Sequence, residues 1–201
     1  MMTALAGKRM SLTVVFDFFG VIGSEAYDGW LADTIPDIKK RLPVFRSFAD
    51  KVDRGEYTLS EFLDKVAAEA GVSPSGVRSG VESRMAVNAD MVALVDVVRK
   101  NHRTGLLSNA AHEWLEMVLD DHGLWDRFDE VIISSKVGLI KPEPAMFEYL
   151  RDRLDVPYDQ IVFVDDRAVN ADAASALGIK GVHYQDIESL RLDLRRLGVM
   201  V

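Results

Sequence analysis

Leu12-Thr13-Val14-Val15-Phe16-Asp17-Phe18-Phe19-Gly20-Val21-Ile22 is an apolar stretch broken by a single charge. Thr13 to Phe16 is β-branched and aromatic, the composition of a buried strand. A carboxylate at the end of such a strand is costly to desolvate unless something pairs with it. Gly20, three residues on, lets the chain turn sharply away. Open α/β sheets present reactive groups in this way, because ligands bind beyond the carboxyl ends of their strands. The same residues also suit a plain turn whose Asp caps the next element.

Downstream, the spacing of apolar residues is first helical and then alternates between strand and helix. Trp30, Leu31, Ile35 and Ile38 predict one amphipathic helix, with Pro36 disturbing its course, and Phe45, Phe48 and Val52 predict another. Thr58 and Glu61 form a capping box ahead of Leu59, Phe62, Leu63 and Val66, and Ser73-Pro74 opens a further helix after Gly71. No strand is expected between Ala26 and Val87. From Asn88 onward helices alternate with short strands at Thr104 to Leu107, Val131 to Ser134, Ile161 to Val164 and Gly181 to Tyr184. This alternation predicts right-handed βαβ units. The expected fold class is therefore α/β, a Rossmann-like parallel sheet sandwiched by helices. An α-helical cap would be inserted after the first strand. The expected division is residues 11–25 and 88–201 as core, with 26–87 as cap. Met1 to Met10 is expected to be a loose lead-in.

Three polar clusters follow strands directly: Asp17, Ser108-Asn109 and Asp165-Asp166. Lys141 lies in a loop that opens a helix. Parallel strands bring such ends to one edge of a sheet. Converging carboxylates raise one another's pKa unless a cation neutralises them. An all-oxygen ligand set favours Mg²⁺, which uses a few carboxylates together with waters and substrate phosphate. Lys141 and Ser108, with amides at a helix start, suit the oxygens of a phosphoryl group. Together these are the parts of a phosphoryl-transfer site. Taken singly, Ser108-Asn109 is ordinary N-cap chemistry and Lys141 a solvated loop lysine. Two adjacent acids after a buried strand are harder to explain without a metal.

Composition narrows the classes further. The chain has 201 residues, 48% of them hydrophobic and 28% charged, a normal globular balance. A net charge of −8 argues against nucleic acid or an acidic membrane surface as partner. With no Cys, thiolate metal sites, disulfides and Cys nucleophiles are excluded. Lys8 and Arg9 before an apolar run faintly suggest a signal peptide, but Asp17 interrupts that run and no small-residue cleavage site follows. A cytoplasmic location is expected.

The ordered motifs resemble the haloacid dehalogenase superfamily, in its phosphatase-like branch with a helical cap. They are Asp17-x-x-Gly20-Val21, Leu106-Leu107-Ser108-Asn109, Val137-Gly138-x-x-Lys141-Pro142-x-Pro144 and Asp165-Asp166-x-x-x-Asn170, within a match running from Val14 to Tyr184. The resemblance implies a hydrolase using Mg²⁺, with Asp17 as the nucleophile that forms an aspartyl-phosphate. Ser108 and Lys141 would hold the transferring phosphoryl group, with Asn109 beside them. Asp17, Asp166 and the Phe19 backbone carbonyl would ligate the metal. Asp165 would be a further ligand or a partner behind it, and Asn170 would orient the loop.

Phe19 departs from the family pattern. A second Asp usually stands at that position as the general acid and base. Its absence favours leaving groups that need little protonation, such as a sugar 1-phosphate or an acyl phosphate. It also admits two alternatives, a weakly active phosphatase-like binding or regulatory protein and a metal-independent 2-haloacid dehalogenase. Glu25 and His112 are candidates for a replacement acid. Trp30, Phe45 and Tyr57 are candidates for the cavity wall.

Overall fold

The computed structural model describes residues 12–201, so the expectation for Met1 to Met10 lies outside the described residues. Five parallel strands form one sheet: β1 (Thr13–Phe16), β2 (Arg103–Ser108), β3 (Glu130–Ile133), β4 (Ile161–Asp165) and β5 (Lys180–His183). Their order is β3-β2-β1-β4-β5, which puts β1 at the centre. Phe16 lies beside Leu106 on one flank and Val164 on the other. Asp17, Ser108 and Asp165 therefore emerge together at the carboxyl edge.

Alternation along β1 divides the core. Val14 and Phe16 face a cluster completed by α5 (Ala89–Val98), α6 (His112–Asp121) and α10 (Ile187–Arg196), through Met91, Leu94, Leu115 and Leu190. Val15 faces the opposite cluster, where α8 (Pro144–Leu154) supplies Met146, Phe147 and Leu150 and α9 (Ala168–Ala176) supplies Ala174. Both faces are covered, which is why the central strands are continuously apolar rather than alternating.

Between β1 and α5 run four helices, α1 (Ala26–Thr34), α2 (Ile38–Asp53), α3 (Leu59–Ala70) and α4 (Pro74–Glu82). They surround a separate cluster containing Trp30, Leu31, Phe45, Phe62 and Val66, joined by Ala111 and Trp114 at the start of α6. The chain enters and leaves this bundle side by side. Ser24 N donates to Ala86 O at 2.9 Å, and Ser24 Oγ donates to Arg84 O at 2.6 Å. The capping box at Thr58 forms as expected, with Glu61 N donating to Thr58 Oγ1 and Thr58 N to Glu61 Oε2.

The first helix of this bundle is shorter than its spacing predicts. The apolar series from Trp30 to Ile38 spans two helices, because Ile35 precedes Pro36 and takes an extended conformation. Asp37 follows with φ of 53°, and α2 begins at Ile38. A short helix, α7 (Ser134–Val137), begins where the third strand was expected to end. No helix of the described residues is long and apolar enough to cross a membrane.

Candidate active site

The site begins where β1 stops. Asp17 N still donates to Val164 O at 2.8 Å, so its backbone belongs to the ladder while its side chain projects past the edge. Its Oδ1 accepts from Phe18 N at 2.7 Å. The following turn is tight, with Ile22 N and Gly23 N both donating to Phe18 O. Gly20 takes φ of 85°, and a methyl group there would overlap the Asp166 carboxylate. This glycine is needed twice, for its left-handed backbone and for its closeness to the end of β4.

Lys141 ties the clusters together. It is 2% exposed, and its Nζ donates to Asp17 Oδ2 at 2.8 Å, Asp165 Oδ2 at 2.7 Å and Leu107 O at 3.0 Å. All three ammonium protons are thereby engaged. Asn109 holds the backbone of the lysine reciprocally, with Asn109 Nδ2 donating to Lys141 O and Lys141 N to Asn109 Oδ1, each at 2.9 Å. Asp165 is fully buried, and its Oδ1 accepts from Arg167 N and Asn170 Nδ2, both at 2.9 Å. Ser108 is also fully buried, and its hydroxyl has no partner.

One oxygen of each of Asp17, Asp165 and Asp166 lies within 4.8 Å of the others. Three carboxylates against one ammonium leave two negative charges, the amount a divalent ion neutralises. Asp166 Oδ1 is buried and unpartnered, whereas both oxygens of Asp165 already accept hydrogen bonds. A hard, oxygen-seeking cation such as Mg²⁺ fits this donor set. Burial, helped by the charges of Asp165 and Asp166, pushes the Asp17 carboxyl well above its ordinary pKa despite Lys141. Burial and Asp165 also raise Asp166. For Asp165 burial acts upward, but Lys141 and the hydrogen bonds outweigh it and the net shift is downward. Burial opposes the charge on Lys141, and the carboxylates of Asp17 and Asp165 more than offset it.

A cavity of about 340 Å³ opens over this cluster. Asp17, Asn109, Lys141 and Asp166 form its polar floor. Its wall is mixed, with Phe19, Tyr27, Phe62, Met85 and Trp114 on it beside Glu25, Asp28, Asp53 and Arg167. Arg46 also lines it, paired with Asp28.

The expected wall residues are elsewhere. Trp30 and Phe45 are buried inside the helical bundle, Trp30 against Gly80, and Tyr57 packs at the edge of that cluster with its hydroxyl near Lys51. None of the three lines the cavity. Trp30 and Phe45, aromatic residues at helical spacing, were core, and those reaching the cavity are Phe19 from the turn after β1, Tyr27 from α1, Phe62 from α3 and Trp114 from α6. Of the candidate acids, Glu25 lines the cavity, while His112 is turned toward Ser135 and Glu113. Asp53, Arg46 and Arg167 also line it and were not singled out from sequence. One signal for Asp53 was available, an acid on the last turn of a helix, where the dipole disfavours negative charge. Both Glu25 and Asp53 are raised to a pKa of about 7, chiefly by burial.

A sequence model of the haloacid dehalogenase-like hydrolases matches residues 12–178. The sesquiterpene phosphatase astK of Aspergillus oryzae is 22% identical over 91% of this chain and 94% of its own length. (S)-2-haloacid dehalogenase 1 of a Pseudomonas species is 31% identical over 42% of this chain, a stretch covering 37% of that enzyme. Among solved structures, the HAD family enzyme bt-2542 of Bacteroides thetaiotaomicron superposes with a TM-score of 0.75 at 20% identity, covering 90% of this chain and 98% of that one. That protein has also been solved as a complex with magnesium and inorganic phosphate. At such identity the likeness of structure speaks for the fold alone.

Proposed function

The chain belongs to the haloacid dehalogenase-like hydrolases, and on that premise we propose that it is a Mg²⁺-dependent phosphatase acting on a small phosphorylated metabolite. The observation that carries this reading is the buried group of Asp17, Lys141, Asp165 and Asp166, with one Asp166 oxygen left unpartnered. The Asp17 carboxylate would attack phosphorus in line and take the phosphoryl group as an aspartyl-phosphate, which water then hydrolyses. Lys141 holds Asp17 Oδ2 in place and balances its charge. Ser108, with its free hydroxyl, and Asn109, on the cavity floor, would bind phosphoryl oxygens together with Lys141. Asp17, Asp166 and the Phe19 carbonyl would hold Mg²⁺. Asp165 belongs to the same cluster, and its engaged oxygens favour a supporting role. The ion would supply Lewis-acid stabilisation of charge developing on phosphate. Residues 11–25 and 88–201 would act as the core, with 26–87 as a cap that excludes water and selects substrate.

The apolar part of the wall extends the reading to the organic part of the substrate. Phe19, Met85 and Trp114 offer contact area to an apolar group, beside the charged side chains of Arg46, Asp53 and Arg167 on the same wall. The relative named a sesquiterpene phosphatase points the same way. The test is a panel of prenyl, alkyl and sugar monophosphates assayed with Mg²⁺ and with chelator. Hydrolysis should need Mg²⁺ and favour apolar esters, and Asp17→Asn should reduce it by roughly 10³-fold or more. Activity on a 2-haloacid that survives chelation would instead select the dehalogenase alternative. Binding of phosphate and Mg²⁺ without turnover would select the regulatory one.

A further inference from the structure

We propose that Asp53, the last residue of α2, is the general acid and base of the reaction, taking over the role that position 19 cannot perform. The inference rests on the phosphatase reading above. Phe19 places a hydrocarbon ring on the cavity wall where the family pattern has a carboxyl. A proton must still reach an alkoxide leaving group, and general acid–base catalysis is worth about 10²–10⁴-fold.

The cavity wall holds few free candidates. Asp17 is paired with Lys141, Asp28 is paired with Arg46, and Asp166 belongs to the metal-ready cluster. That leaves Glu25 and Asp53, whose carboxyls have no hydrogen-bond or ion-pair partner among the described residues. Glu25 is exposed, whereas Asp53 is half-buried.

Asp53 is also the better positioned of the two, because its chain neighbours are fastened to the phosphate-binding loop. Arg54 forms a bidentate ion pair with Glu143, two residues beyond Lys141. Gly55, at φ of 69°, lies so close to the Ser135 carbonyl that a Cβ would overlap it. Two anchors on consecutive residues thus bring the end of α2 over the floor of the site.

The surroundings match the task. Burial and the neighbouring Asp50 raise the Asp53 pKa to about 7, Glu25 adds to the rise, and Lys141 and Arg167 oppose it. At neutral pH the carboxyl can both release and accept a proton. In the first step Asp53 gives its proton to the bridging ester oxygen as the P–O bond breaks and the phosphoryl group passes to Asp17, releasing an alcohol. In the second, water attacks phosphorus, its proton returns to the Asp53 carboxylate, and phosphate and free Asp17 are formed.

The experiment compares wild type with Asp53→Asn on two substrates in Mg²⁺. One is an alkyl monophosphate, whose leaving group needs a proton, and the other is p-nitrophenyl phosphate, whose leaving group does not. The variant should lose about 10²-fold or more in kcat on the alkyl ester and less than about tenfold on the aryl ester. The decline in wild-type kcat above about pH 7 on the alkyl ester should vanish in the variant. Adding Phe19→Asp to the variant should restore alkyl turnover. Equal losses on both esters, or no loss on either, overturn the proposal. So does a leaving-group-selective loss in Glu25→Gln that is absent from Asp53→Asn. A wild type that hydrolyses neither ester overturns the phosphatase reading itself and this inference with it.

Discussion

Asp53 combines a charge with an environment that does not want it. Its pKa rises from 3.8 to about 7 on folding, so the native chain binds a proton there that the unfolded chain has released. The sign follows from linkage. Between about pH 4 and pH 7 the folded state is the more protonated, so this group makes stability fall as pH rises, and the deficit persists above pH 7. Asp53→Asn removes it. Thermal melts should therefore place the variant above wild type at pH 8, with the gain shrinking toward zero below pH 4. A residue kept at the expense of stability is common where activity requires it. Lys141 is the opposite case. Its charge is buried but met by two carboxylates and a carbonyl, so the fold and the site depend on the same contacts. Sequence order alone pointed to Asp17, Ser108, Asn109, Lys141, Asp165 and Asp166, since each follows a strand or opens a helix at a motif. Asp53 carried no such marker.

At the level of elements, the junction between α2 and α3 decides where that carboxyl goes. Two glycines with positive φ make a controlled comparison. Gly55 (φ 69°) faces the Ser135 carbonyl, whereas Gly71 (φ 74°), at the end of α3, has nothing within 4 Å of its would-be Cβ. Alanine in the left-handed region costs roughly 1–2 kcal/mol by itself. Gly71→Ala should lose about that much stability in urea denaturation and keep full activity. Gly55→Ala should lose more and should also lower kcat/KM, because the end of α2 must lift from Ser135. Equal stability losses with unchanged activity in both would remove the junction from any part in positioning. The break between α1 and α2 was half legible. Pro36 announced a disturbance, but whether the helix bends or stops depends on what Ile35, 3% exposed, can bury once it leaves the helix.

For the whole molecule, the strand order places β1 between β2 and β4, so three separate polar motifs meet at one edge. The helical bundle is attached at that edge. The paired chain at Ser24 and Arg84 forms one attachment, the Arg54–Glu143 ion pair another, and Trp114, which donates to Glu82, a third. The ion pair is partly solvated, with side chains 29% and 41% exposed, so its strength is at most about 1 kcal/mol. A double-mutant cycle with Arg54→Ala and Glu143→Ala should raise KM by about two- to fivefold in each single variant and little further in the double. Additive effects would mean that the two residues act separately.

Residues that follow the sheet's own grammar were determined by the sequence. β-branched runs specify the strands, polar residues at their ends specify the edge, and parallel pairing then brings Asp17 and Asp165 side by side, where Lys141 from its loop meets both. The cavity wall was not determined this way. A helical repeat tells which face is apolar but not which turn of that face meets its own bundle and which meets the site, so Trp30 and Phe45 went to the core while Tyr27 and Phe62 reached the cavity. Asp53 reached it through a contact between Arg54 and Glu143, 89 residues apart in the chain. Contacts at that separation arise only from the packing of the folded chain, and they set Asp53 on the wall of the same cavity as Asp17.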